Sequence, residues 1–132
     1  MATAKLAKQL NITTPDKVGI LEELTNIIAS QGTNIEAICA YGMEGKAVFY
    51  VITNNNAKIK NAISTKGWQV KEVDVVMVDL ENKPGALSNL SATIKTKNIN
   101  LKYCYGSACT SSCPCRLVLS SDNSNELLAA LK

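Results

Sequence analysis

The sequence predicts an α+β protein built from two β-α-β-β-α-β units, the second lacking its last strand, and three observations carry that expectation. First, the chain repeats at an offset of 66 residues: Asp16-Lys17-Val18-Gly19-Ile20-Leu21 returns as Asn82-Lys83-Pro84-Gly85-Ala86-Leu87. Leu24 then falls on Leu90, Ile28 on Ile94, Asn34 on Asn100 and Ile35 on Leu101. Second, short runs with alternating apolar residues and longer runs at helical spacing follow one another in the same order in both copies. Third, the first helical run of each copy closes on a residue that tolerates a left-handed backbone, Gly32 in one and Asn98 in the other. The period is too long for an ordinary solenoid repeat, so each copy is expected to be a small folded unit, residues 1–73 and 74–132.

In the first copy, Gln9 to Thr14 alternates apolar and polar with Leu10 and Ile12 on one face, which reads as a half-buried strand. Val75 to Leu80 answers it in the second copy. Ile20, Leu21, Leu24, Ile27 and Ile28 then follow at helical spacing. A hairpin comes next: Asn34 to Tyr41 and Ala47 to Thr53, turning through Gly42 to Gly45. Its counterpart is Asn100 to Tyr105 with Cys115 to Ser120. A second helix, Ala57 to Thr65, ends at Gly67, and a last strand, Gln69 to Val73, runs almost directly into the second copy. The order and pattern are those of a ferredoxin-like unit, a sheet with both helices on one face.

Phe49 and Val51 alternate with Val48, Tyr50 and Ile52, so that strand is apolar on both faces and is expected to be buried on both. The second copy ends in its second helix, at the stripe Leu127, Leu128, Leu131. Its missing strand would pair with residues 75–80, which leaves an open edge of backbone donors and acceptors for a second subunit or a strand of the first copy to cover.

Composition is that of an ordinary soluble chain: 46% hydrophobic, 19% charged, mean hydropathy +0.03 and formal net charge +3. Lys5 and Lys8 break the apolar run near the start, so neither a signal-peptide core nor a membrane span is expected, and the protein is placed in the cytoplasm. Lys and Glu are interspersed and Arg occurs once, at Arg116, which argues against nucleic acid as a partner.

The Lys-Pro-Gly-Ala-Leu turn after a strand, the helix that ends before Asn-Ile-Asn-Leu, and the repetition of both make this chain resemble a tandem ACT-domain protein over residues 8–132. The resemblance implies a regulatory module without chemistry or cofactor of its own. It implies binding of an amino acid or related small ligand, usually where two such domains meet. Val18 departs from the proline usual in the motif, which Pro84 retains.

The residues of the motif suit that role on physical grounds. A glycine at a helix start lets backbone approach a ligand closely, and the unpaired N–H groups of a first helical turn attract a carboxylate. Gly19 and Gly85 are the anchors; the N–H groups of Ile20, Leu21, Ala86 and Leu87 are candidates for a carboxylate, and the amides of Asn34 and Asn100, beside Ile35 and Leu101, for an ammonium group. Asp16 places a negative charge where the second copy has neutral Asn82, so the second turn is expected to suit a carboxylate better. The competing reading is that Asp16 and Asn82 cap helices and the glycines only close turns.

Four of the five cysteines lie in the second copy: Cys104, Cys109, Cys113 and Cys115. Four thiolates suffice for a tetrahedral zinc site, yet the spacing is not that of a common zinc knuckle and the chain has no His. A redox pair among Cys109, Cys113 and Cys115, or inert small residues, are the alternatives. No metal site is assigned. Catalysis is not expected, because no His, paired carboxylates or phosphate-binding Gly-rich loop is present; Glu22 and Glu23 read as solvated helix surface, and Trp68 as core or interface. The function read from sequence is thus a non-enzymatic, allosteric sensor of an amino acid, expected to form a homodimer and to act on a separate effector protein. A metal- or thiol-handling module, or a protein whose open edge recruits a partner strand, are the alternatives.

Overall fold

A computed structural model describes residues 2–108 and 113–132. Ten elements follow in order: β1 (Thr3–Pro15), α1 (Ile20–Ser30), β2 (Ile35–Met43), β3 (Lys46–Thr53), α2 (Asn56–Lys66), β4 (Gln69–Leu80), α3 (Ala86–Thr96), β5 (Leu101–Ser107), β6 (Cys115–Ser121) and α4 (Ser124–Ala130). The chain forms two compact units, Lys8–Val73 and, from two stretches, Met1–Ala7 with Asp74–Lys132. They are called the first and second unit below.

In the first unit the strands lie in the order β2-β3-β1-β4, and in the second β1-β4-β6-β5. β1 and β4 each give one end to each unit. The residues 69–73 and 75–80 that the sequence separates into two strands therefore form one continuous strand. The edge beside residues 75–80 is not open, because β1 is the neighbour of β4 and its residues 3–7 belong to the second unit, where Ala4 packs on the core. The strand that the second copy lacks in sequence is thus supplied from the other end of the chain. That segment lies outside the alternating pattern Gln9–Thr14 because Lys5 and Lys8 interrupt it.

Each unit has its own core, and the alternation of strands with helical stripes explains both. Leu10, Ile12, Phe49 and Val51 meet Leu24 and Ile28 of α1 and Ile59 and Ile63 of α2. Val76, Val78, Leu80, Leu117 and Leu119 meet Leu90 and Ile94 of α3 and Leu127 of α4. Both helices of a unit therefore cover one face of its strands, and each such side chain contributes about 1.5–3 kcal/mol by leaving water. On the opposite strand face Ile52 is buried while Val48 and Tyr50 are half-buried; Val75, Met77 and Val118 are buried there too. Trp68 packs against the first core, with Lys66 Nζ 5.6 Å from its ring centre.

The two-residue turn Glu44-Gly45 closes the first hairpin, since Met43 pairs with Lys46. Both turn residues have positive φ, 52° and 77°, matching the twist of the strands they join. Gly32 and Asn98 adopt left-handed φ of 66° and 57°, so different side chains meet one backbone need after α1 and α3.

Candidate functional site

The two strand-to-helix turns superpose in role. Gly19 and Gly85 are the helix N-caps, at φ 86° and 87°, and neither helix has a side-chain cap. The N-cap position is thus held by a glycine in both turns rather than by Asp16 or Asn82. Ile20 N–H donates to Lys17 O at 3.2 Å and Ala86 N–H to Lys83 O at 3.3 Å, so these two candidate donors are spent closing the turn. The first bonds of the helices proper reach Gly19 O from Glu23 and Gly85 O from Asn89. This leaves the N–H groups of Leu21 and Glu22, and of Leu87 and Ser88, as the donors of each first turn.

The surroundings of the turns differ. Asp16 turns toward the first hairpin: its N–H donates to Gly45 O at 3.2 Å, and its carboxylate lies where a Cβ on Gly42 would stand 2.9 Å away. Glu22 and Glu23 occupy the first turn of α1, and Glu23 bridges Lys17 at 3.2 Å and Lys66 at 2.7 Å. Hydrogen bonds from Lys66 and then Lys17 hold its carboxyl below the usual carboxylate range. The first turn of α3 has no acidic residue, and Asn89 stands at the position of Glu23. Val18 is fully exposed and Leu21 and Leu87 are half-exposed beside the turns.

The other candidates, Asn34 with Ile35 and Asn100 with Leu101, lie past the far ends of α1 and α3. Eleven residues of helix at a rise of about 1.5 Å each separate them from the turns by roughly 16 Å. Within one unit, one amino acid cannot span a turn and its asparagine, because its carboxylate and ammonium sit on the same carbon. Asn34 is drawn into the backbone around Asn54, its N–H donating to Asn54 Oδ1 at 3.0 Å and its carbonyl accepting from Asn54 N–H at 3.2 Å. Asn100 instead lines an open pocket of about 360 Å³ with Ser91, Ile94, Lys95, Asn98, Ile99 and Leu101. A second pocket of about 360 Å³ lies at the start of α3, where Lys83, Ala86 and Asn89 face Leu131 and Lys132.

Ser91, Lys95 and Asn98 are pocket residues that the sequence does not mark as a site. Helical spacing of Ser91 and Lys95 on the outer face of α3 is the only signal, and any solvated helix shows it.

The cysteines divide. Cys39, Cys104 and Cys115 are free thiols and Cys113 is disulfide-bonded. Cys109 lies outside the described residues. Partial burial of the sulfur, and then the neighbouring Cys115, push the Cys104 thiol up, so it stays protonated at neutral pH and is a poor nucleophile or ligand. Among the described residues no three His, Cys, Asp or Glu side chains are grouped to hold a metal, and no helix is long and apolar enough to cross a membrane.

No family model matches the sequence, and no curated protein matches it. Solved structures do. A protein of Bacteroides thetaiotaomicron is similar at 26% identity and TM-score 0.88, over 97% of this chain and 88% of that one. The regulatory subunit of aspartate kinase from Thermus thermophilus, in a ligand-free form, is similar at 14% identity and TM-score 0.69, over 98% of this chain and 93% of that one. The corresponding subunit from Thermus flavus gives 15% and 0.66, over 98% and 94%. At such identities the likeness to the two kinase subunits establishes architecture, and the chain has the ACT-like, ferredoxin-type α+β fold of those regulatory domains.

Proposed function

We propose that this protein is a non-enzymatic regulatory module, acting in the cytoplasm, that senses a free amino acid. The observation that carries the reading is the pocket at the end of α3, where Asn98 and Asn100 stand beside apolar Ile94, Ile99 and Leu101. Small-molecule sites of about 300–1,000 Å³ combine apolar lining with polar groups that fix orientation, and here the three apolar residues stand beside Ser91, Lys95, Asn98 and Asn100. The separation of turn and asparagine along the helix supports binding across two copies of the chain. One copy then offers the open Leu87 and Ser88 N–H groups to the carboxylate, while the other offers the Asn100 amide oxygen to the ammonium group. A homodimer follows from that arrangement. Occupancy would bias the dimer between two states of unequal affinity, and a separate effector protein would read the difference. The regulatory role carried in the names of the Thermus subunits is consistent with this reading.

The test is thermal unfolding of the full chain against each of the twenty amino acids, because a ligand that binds only the folded state raises the midpoint with concentration. A saturable rise for one amino acid or a related set, lost in Asn100→Ala, is the expected result. No rise for any amino acid at high concentration refutes the reading.

A further inference from the structure

We propose that the pocket at the end of α3 selects an amino acid whose side chain ends in a carboxylate, with Lys95 holding that carboxylate; this rests on the amino-acid reading above. Among the described residues of the pocket lining, Lys95 is the one charged residue and there is no acid to neutralise it. Among the described residues, the side chains of Lys95, Asn98 and Asn100 make no hydrogen bond or ion pair, so an ammonium and two amides border one cavity with their capacity unspent. Ser91 is different, since its hydroxyl donates to Leu87 O at 2.8 Å and keeps only lone pairs for a ligand.

The first unit shows that the fold does not require this set. At the positions of Lys95 and Asn98 it has Ala29 and Gly32. A lysine near a helix C-terminus favours the helix dipole, but α1 ends with no basic residue in its last turn and closes on the same left-handed step. Backbone geometry accounts for a left-handed residue at 98. It does not account for a cation at 95. Three ammonium donors suit a carboxylate, whereas the amides at 98 and 100 can each present an oxygen to the ligand's ammonium group. A neutral side chain would leave the Lys95 charge unanswered, and a basic one would meet like charge.

The experiment is calorimetric titration of the full chain with L-aspartate and L-glutamate, their amides L-asparagine and L-glutamine, and L-lysine, for the wild type, Lys95→Ala and Lys97→Ala. Alanine is the residue the first unit carries at the position of Lys95, so that variant folds. Expected is tighter binding of an acidic amino acid than of its amide by roughly tenfold or more, abolished in Lys95→Ala and kept in Lys97→Ala. The preference should weaken as salt is raised. Equal binding of acid and amide, tighter binding of L-lysine, or an acidic preference that survives Lys95→Ala overturns the assignment while leaving amino-acid sensing intact. Absence of binding by all five overturns the assignment and, if the remaining amino acids also fail, the sensor reading with it.

Discussion

The start of α1 and the start of α3 are one backbone device in two electrostatic settings. Both helices begin after a left-handed glycine, both spend their first N–H on the turn lysine's carbonyl, and neither has a side-chain cap. Around α1, Asp16, Glu22 and Glu23 supply negative charge from the chain itself, and Glu23 ties Lys17 to Lys66. Around α3 the first turn holds no acid, and Lys83 pairs with Glu81 at 2.9 Å. Duplication kept what the backbone needs. The charged side chains around it differ.

The largest expected effects test whether the helices behind the two turns are held alike. Leu24→Ala removes a fully buried side chain and should destabilise by about 2–5 kcal/mol in chemical denaturation, while Leu90→Ala, at 7% exposure, should lie at the low end of that range. Equal losses would mean that the second core is as tight as the first.

Next come the anchors. Ala at Gly19 or Gly85 would meet nothing within 4 Å, so the penalty is conformational, about 1–2 kcal/mol at each turn. Unequal penalties would break the backbone equivalence. Smaller again are the caps of the second helices, where Asn55 accepts from Lys58 N–H at 3.3 Å and Asn123 from Glu126 N–H at 3.0 Å. Asn55→Ala and Asn123→Ala should each lower stability by about 1 kcal/mol, measured in the same denaturation series.

The smallest effect separates the turns by pH. Glu23 has its folded pKa lowered from 4.5, so its contribution is present above that value and is lost as the pH falls through the lower folded pKa. Stability curves of wild type and Glu23→Gln should therefore differ at neutral pH and converge in acid. Asn89→Gln, at the matching place in the second unit, should show no such convergence. A pH-independent gap for Glu23→Gln would sink the ion-pair account.

Sequence alone gave the repeat, the element order and the left-handed residues, because these are local: periodicity of 2 or 3.6, glycine at a turn, asparagine where glycine stands in the other copy. The hairpin of the first unit lay one step beyond this, since the turn is Glu44-Gly45 alone and Gly42 is still paired in β2. The amino-terminal strand was not legible, because Thr3 to Ala7 has lysine and alanine where a pattern would need contrast, and its partner is some seventy residues away in the chain. Of the candidate pocket, Asn100 and Leu101 could be named from the motif. Lys95 and Asn98 could not, since a lysine on an outer helix face gains meaning only when a cavity is found beside it. The donors also needed coordinates: nothing in the letters distinguishes the spent N–H of Ala86 from the open one of Leu87.

The shared strand β1 has a consequence for how the chain is made. Residues 3–7 leave the ribosome before residues 8–73, yet the stretch they complete, 74–80, is synthesised only after the first unit's own sequence is finished. Residues 3–7 must therefore wait for the later stretch, and a nascent chain halted near residue 73 would carry them with none of the other elements of the second unit yet made.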